Sequence, residues 1–272
     1  MHAAGTDSVD LVEHSAGNVR VYLNPACSAS IPIEDLLRLP EFLAQLPGRP
    51  TRQRGRVTSW RWRPAWASGD GLAVRLYAHG GLLGPALGTR FLSRRRMLDE
   101  LRVTILAHSR GVPTAVPVAV RIEHTCGCLV TAHYVSEAIP NAVDLLTLLR
   151  EAAPPSPAAR RRLALSAADA VAAMHEAGIW HADLSLGNLL VQGTLDDPRV
   201  FVIDFDKARQ TDLVAPRQRV ANLLRLDRSV LKWPASQRAV GPYDRLRFLR
   251  SYTRRWPGGQ PGWREIARRC GA

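Results

Sequence analysis

The chain has 272 residues, 46% of them apolar, enough to bury one large core or two lobes sharing a cleft and too much for disorder over most of its length. Its 37 Lys plus Arg, nearly all Arg, against 24 acidic residues give a formal charge of +13, which points to anionic partners: nucleic acid, nucleotide phosphates or an acidic membrane surface. Cys27, Cys126, Cys128 and Cys270 do not complete a zinc site and read as reduced thiols of a cytosolic protein. No run approaches the roughly 20 apolar residues of a membrane span, and Asp7, Asp10 and Glu13 interrupt any secretory-signal pattern at the start.

Residues 1–50 read as an N-terminal extension, with a strand at Val19–Tyr22 and a helix from Ile33 to Leu46 ended by Pro47-Gly48. Residues 51–135 read as a small sheet lobe. In it, Val57, Trp60 and Trp62, then a turn at Ala67–Gly71, then Leu72–Tyr77 form a hairpin. A Gly-rich loop, Gly80–Pro85, leads to a helix from Phe91 to Ser109 that Gly111 and Pro113 stop. Strands follow at Ala115–Glu123 and Cys128–Val135, so that one helix packs on the sheet. Residues 136–272 read as a larger lobe: helices at 142–150 and 158–177, the second stopped by Gly178, then strands at 189–192 and 200–203, then Arg-rich amphipathic helices from Val214 onward.

Chemistry concentrates at His181-Ala182-Asp183-Leu184-Ser185-Leu186-Gly187-Asn188, followed by an apolar strand, a turn and Ile203-Asp204-Phe205-Asp206. In a loop after a helix, Asp183 can accept the proton of an acceptor hydroxyl, and Asn188, five residues on, can turn back onto a magnesium ion. Asp204, at the end of an apolar strand, supplies the hard oxygen ligand that such an ion prefers. His181 props this loop by hydrogen bonding. In the sheet lobe, Arg75 on its strand and Glu100 on the packed helix stand in the order of a phosphate clamp and its carboxylate partner, and Gly55 would let backbone approach the phosphates. The later arginines, Arg217 to Arg255, read mostly as a solvated face, part of which could lie on an anionic membrane. Nucleic acid is disfavoured, since the aromatic residues form no stacking platform among the basic ones.

These stretches together resemble the protein-kinase-like fold, and within it the bacterial lipopolysaccharide core kinases, above all the 3-deoxy-D-manno-octulosonic acid (Kdo) kinases. The resemblance is carried by Ala73–Tyr77, Glu100-Leu101-Arg102, His175–Ile179, His181–Leu184, Ile203–Lys207 and Asn222–Leu226, over about residues 50–235. Arg75 in place of a protein kinase's Lys, Asp206 in place of its Gly, and the absence of Ala-Pro-Glu after Asp204 favour a sugar acceptor over a protein. The resemblance implies an α+β bilobal fold, with a small antiparallel-sheet lobe and a larger, mainly helical one. It implies ATP-dependent phosphorylation of a Kdo hydroxyl on an anionic lipid A precursor, with Mg2+, by a protein peripheral to the cytoplasmic face of the inner membrane. Asp183 would then be base, Asn188 and Asp204 metal ligands, and Gly55, Arg75 and Glu100 the nucleotide grip. A kinase acting on a heptose, a small molecule or a protein Ser, and a catalytically silent scaffold, are the alternatives; the oligomeric state is not readable.

Overall fold

The computed structural model describes residues 9–46, 51–53, 57–67, 69–79, 88–151, 155–256 and 262–270. Gly55 and the loop 80–85 lie outside the described residues. The chain divides into two compact units, Met1–Leu106 with Val116–Ala138, and Ala107–Ala115 with Ile139–Ala272.

The first unit contains β1 (Val12–Ala16), β2 (Val19–Leu23), α1 (Ile33–Leu37), α2 (Leu39–Gln45), β3 (Thr51–Gln53), β4 (Val57–Trp62), β5 (Leu72–Leu76), all but the last three residues of α3 (Arg95–Ser109), β6 (Pro117–Cys126) and β7 (Leu129–Glu137). Its strands form a seven-stranded antiparallel sheet in the order β1-β2-β6-β7-β5-β4-β3. Both faces are apolar, and the period of two in each strand divides the core accordingly. Val21 and Leu23 of β2 join Val74 and Val135 in a cluster with Leu36, Leu39 and Leu43 from α1 and α2. Tyr22, between them, joins Val120, Ile122 and Ala132 in a second cluster with Met97 and Leu101 of α3.

Thus α3 covers one face and α1 with α2 the other, and the stretch 1–50 contributes two strands to the sheet. The helix expected at Ile33–Leu46 is broken at Arg38, because Pro40 sits in the first turn of α2 and cannot continue a helix that began at Ile33. Helix α3 starts later than its apolar spacing suggests; Phe91 instead exchanges backbone bonds with Val130 at 2.8 Å. The β4–β5 turn depends on Gly71, at φ 78°, where a Cβ would lie 2.5 Å from the Trp62 carbonyl oxygen.

The second unit contains β8 (Val143–Asp144), α4 (Leu145–Glu151), α5 (Pro157–Glu176), β9 (Ile179–Trp180), β10 (Leu189–Gln192), β11 (Arg199–Val202), β12 (Arg209–Gln210), α6 (Pro216–Leu231), α7 (Pro234–Ala239), α8 (Pro242–Arg254) and α9 (Trp263–Cys270). Ser156 caps α5 by accepting from the Ala159 N–H at 3.2 Å, and Pro157 fills a first-turn position that needs no N–H. The Ala-rich face of α5 lets α8 and β11 approach closely, burying Ala168, Val171 and Met174. Gly178, at φ 76°, ends the helix and accepts a bond from the Thr211 N–H at 2.8 Å. A Cβ there would lie 2.1 Å from the Thr211 carbonyl oxygen, so glycine is required. The chain then enters β9, which pairs with β12, and runs through a loop into the three-stranded sheet β11-β10-β8.

Several arginines expected on a solvated face are internal. Arg219 is 1% exposed, and Arg245 makes paired bonds to Asp227 at 2.6 and 2.8 Å. Each is held by carbonyl or carboxylate acceptors that sequence spacing does not reveal.

Candidate active site

The loop after β9 is built around His181, which is fully buried. Its Nδ1 accepts from the Asp183 N–H at 3.0 Å and its Nε2 donates to the Ile203 carbonyl at 3.1 Å. One ring nitrogen accepts and the other donates, so the imidazole is neutral with its proton on Nε2. Burial pushes its pKa below the ordinary histidine value, against the Ile203 carbonyl and the carboxylates of Asp204 and Asp183, which favour the charged form. His181 therefore ties the chain at Asp183 to the chain just before Asp204.

Asn188 closes the loop. Its Nδ2 donates to the Asp183 carbonyl at 2.8 Å, and its own carbonyl accepts from the Ile203 N–H at 3.0 Å. With Leu189 opposite Val202 in the β10–β11 pair, Asn188 and Ile203 continue the ladder, and Asp204 follows directly. Both backbone polar groups of Asp183 are thus bonded within the loop, its N–H to His181 and its carbonyl to Asn188. The carboxylate faces solvent, with the side chain 64% exposed. Buried Leu184 and Leu186 alternate with it and pin the loop to the core.

Asp204 has φ 65°, a left-handed conformation uncommon for residues other than glycine. Such backbone strain is kept where surrounding contacts over-determine it. Here the Ile203 N–H bond precedes it, and Phe205, 1% exposed, follows with its ring 5.5 Å from that of His181.

Whether these residues suit a divalent cation can be tested on their chemistry. The Asn188 amide nitrogen is engaged by the Asp183 carbonyl, which leaves its Oδ1 as the ligand atom, and Asp204 adds a carboxylate: hard oxygen ligands on residues just beyond the end of the β10–β11 pair. No group of three or more His, Cys, Asp or Glu able to hold a metal exists among the described residues. The donor set fits magnesium, which takes one or two protein ligands and completes its shell with water and substrate phosphates.

Helix α6 holds this loop from outside. Asn222 accepts from the His181 N–H at 3.1 Å and donates to the His181 carbonyl at 2.7 Å, and its Oδ1 also accepts from His175 Nε2 at 3.0 Å. One turn on, Arg225 places a guanidinium N–H 3.4 Å from Asp183 Oδ1. A further turn on, Ser229 Oγ accepts from the Leu186 N–H at 3.0 Å. Positions 222, 225 and 229 share one helical face. His175 is fully buried between Asn222 and the Tyr252 hydroxyl, and burial pushes its pKa from 6.5 to about 3.

In the first unit, Glu100 is 2% exposed and both its oxygens are engaged. Arg75 donates to Oε1, and the Tyr77 hydroxyl donates to Oε2 at 2.6 Å. The Arg75 guanidinium lies 4.9 Å from the Tyr77 ring centroid and 5.4 Å from that of Tyr134. A planar guanidinium is the cation whose geometry matches phosphate oxygens in pairs. Arg75 and Glu100 belong to this unit; Asp183, Asn188 and Asp204 belong to the second. Tyr77, Asn222 and Arg225 lie in stretches that carry the family resemblance but have no site role in the sequence reading, and Ser229 is not named there; the helical spacing of 222, 225 and 229 is the available signal.

Residues 76–252 match the lipopolysaccharide kinase (Kdo/WaaP) family. The chain is 30% identical over 197 residues to a 3-deoxy-D-manno-octulosonic acid kinase of Vibrio cholerae, covering 71% of this chain and 78% of that one. The corresponding kinase of Actinobacillus succinogenes is 29% identical over 71% and 79%. That of Vibrio parahaemolyticus is 32% identical over 52% of this chain, an alignment spanning 57% of that relative's length. Among solved structures, WaaP in complex with acyl carrier protein is similar at a TM-score of 0.56 and 25% identity, over 92% of each chain.

Proposed function

The chain belongs to the lipopolysaccharide kinase (Kdo/WaaP) family and is a phosphotransferase with an alcohol group as acceptor, and on that footing we propose that it phosphorylates a Kdo hydroxyl of a lipid A precursor from ATP. The observation that carries this reading is the clamping of Asp183: its backbone is bonded on both sides while its carboxylate faces solvent beside the Arg225 guanidinium. A rigidly aimed, solvent-facing carboxylate is what an acceptor hydroxyl needs to lose its proton as its oxygen attacks phosphorus.

In this reading Asp183 takes the hydroxyl proton, Arg75 grips nucleotide phosphates, and Glu100 with Tyr77 keeps Arg75 in place. Asn188 and Asp204 would hold magnesium, which when bound neutralises phosphate charge. Gly55 remains a sequence-level assignment to the nucleotide grip. The formal charge of +13 suits an anionic glycolipid in an anionic leaflet, and no helix among the described residues is long and apolar enough to cross a membrane. We place the protein peripherally on the cytoplasmic face of the inner membrane. The acyl carrier protein found with WaaP is a partner to test by co-purification.

The test is incubation of the purified protein with ATP, magnesium and a panel of acceptors: Kdo-bearing lipid A precursor, heptose-extended core and a generic protein substrate. Mass analysis should find one added phosphate on the Kdo. Phosphate on heptose or protein alone would overturn the acceptor; the match to WaaP as well as to Kdo kinases makes another core sugar the second reading.

A further inference from the structure

We propose that Arg225 is a catalytic residue that neutralises the phosphoryl group as it passes to the acceptor. The proposal rests on the kinase reading above and deepens it. In the transfer, the acceptor oxygen forms a bond to the γ-phosphorus and its proton goes to the Asp183 carboxylate. The bond from that phosphorus to the β,γ-bridging oxygen breaks, and its electron pair leaves on ADP. Charge spreads over the equatorial oxygens of the moving group, so a cation beside the base is needed as well as one on the nucleotide.

The loop from His181 to Asn188 contains no Lys or Arg, and therefore cannot supply that cation itself. Arg225 does so from α6. It places one N–H 3.4 Å from Asp183 Oδ1, and among the described residues its other guanidinium donors have no protein acceptor. An oxygen of a phosphoryl group attacked by a hydroxyl at Asp183 would lie within reach of those donors. The root of the side chain is fixed, since Asn222 before it and Ser229 after it both bond the same loop.

A purely structural role does not account for the contact. The pair is exposed, at 45% for Arg225 and 64% for Asp183, and such pairs add little to folding. The loop is already held by the buried bonds of His181 and Asn222. The charge of Arg225 is felt further in, opposing protonation of His181.

The experiment compares wild type, Asp183→Asn, Arg225→Ala and Arg225→Lys on whichever acceptor the wild type phosphorylates, with thermal midpoints and ATP binding measured for each. Arg225→Ala should lower kcat by about 100- to 1,000-fold, with ATP affinity changed by less than about threefold. Arg225→Lys should retain an intermediate rate, and added guanidinium should restore at least about tenfold to Arg225→Ala but nothing to Asp183→Asn. A kcat for Arg225→Ala within about threefold of wild type would overturn the proposal, as would a loss that neither Lys nor guanidinium relieves. Absence of transfer by the wild type on every acceptor would instead overturn the kinase reading itself.

Discussion

The Ile203 N–H donates to the Asn188 carbonyl at 3.0 Å, so of the two candidate magnesium ligands Asn188 sits at one end of that backbone bond and Asp204 directly follows the residue at the other. Both lie just beyond the end of the β10–β11 ladder, which closes on the Leu189–Val202 pair. Asn188→Ala and Asp204→Ala should each lower kcat by at least about 100-fold, and Asp204→Asn should raise the magnesium concentration for half-maximal rate. Initial rates across a magnesium titration check this, and excess chelator should abolish transfer. Unchanged magnesium dependence in Asp204→Asn would remove Asp204 from the metal site.

Asn222 is 1% exposed and bonds His181 on both backbone groups as well as the His175 ring. Asn222→Ala leaves buried donors and acceptors unpaired and should cost about 2–4 kcal/mol of stability. Urea unfolding measures that. Because the same residue positions the loop, kcat should fall with it, while Asn222→Asp should keep part of the acceptor function and lose less.

His175 and His133 are held neutral, burial lowering their pKa values from 6.5 to about 3 and about 4. On unfolding both return to the ordinary value, so below about pH 6.5 the unfolded chain binds more protons than the folded one. Their stabilising contribution is complete above that pH and is lost as pH falls from there toward 4 and then 3. Thermal midpoints between about pH 7 and pH 4 should therefore drop steeply. In His175→Gln the midpoint should start lower and fall less steeply; an identical slope would contradict the assignment.

Glu100 binds Arg75 and the Tyr77 hydroxyl through separate oxygens. Glu100→Gln keeps the shape and removes the charge, which should free Arg75 to move and raise the KM for ATP by about tenfold with a smaller effect on kcat. Tyr77→Phe removes one buried bond and should cost about 1–2 kcal/mol in unfolding experiments. A KM unchanged in Glu100→Gln would separate Arg75 from nucleotide binding.

What the sequence disclosed was what the chain keeps local. Asp183, Asn188 and Asp204 lie within one loop and the strands beside it, and the limits of β10 and β4 follow from short apolar runs between turn residues, while β11 runs Arg199–Val202, one residue earlier at each end than its apolar run at 200–203. What it concealed was carried across long separations. Asn222, Arg225 and Ser229 meet residues 41 to 43 positions away, and on an Arg-rich helix their shared face is indistinguishable from a solvated one until the loop is laid against it. Arg219 looks like its exposed neighbours, yet donates to the His175 carbonyl at 3.1 Å inside the core. Strand β1 leaves little trace in the sequence, because Val12–Ala16 is mostly exposed and carries little alternation; the turn at Gly17 that follows it has φ 59°.

The seating of β6 and β7 in the middle of the seven-stranded sheet has a consequence for any attempt to shorten the protein. Similarity to the family begins at residue 76, but β6 takes its neighbour from β2 and β7 from β5, both earlier in the chain. A fragment cut at that boundary would leave a two-stranded ribbon with open hydrogen-bonding rims on each side, stripped of Val21, Leu23 and Val74. Exposed rims of that kind recruit other chains, so such a fragment should aggregate even though it retains Asp183, Asn188, Asp204 and Arg225; it also loses Arg75, one residue before the cut.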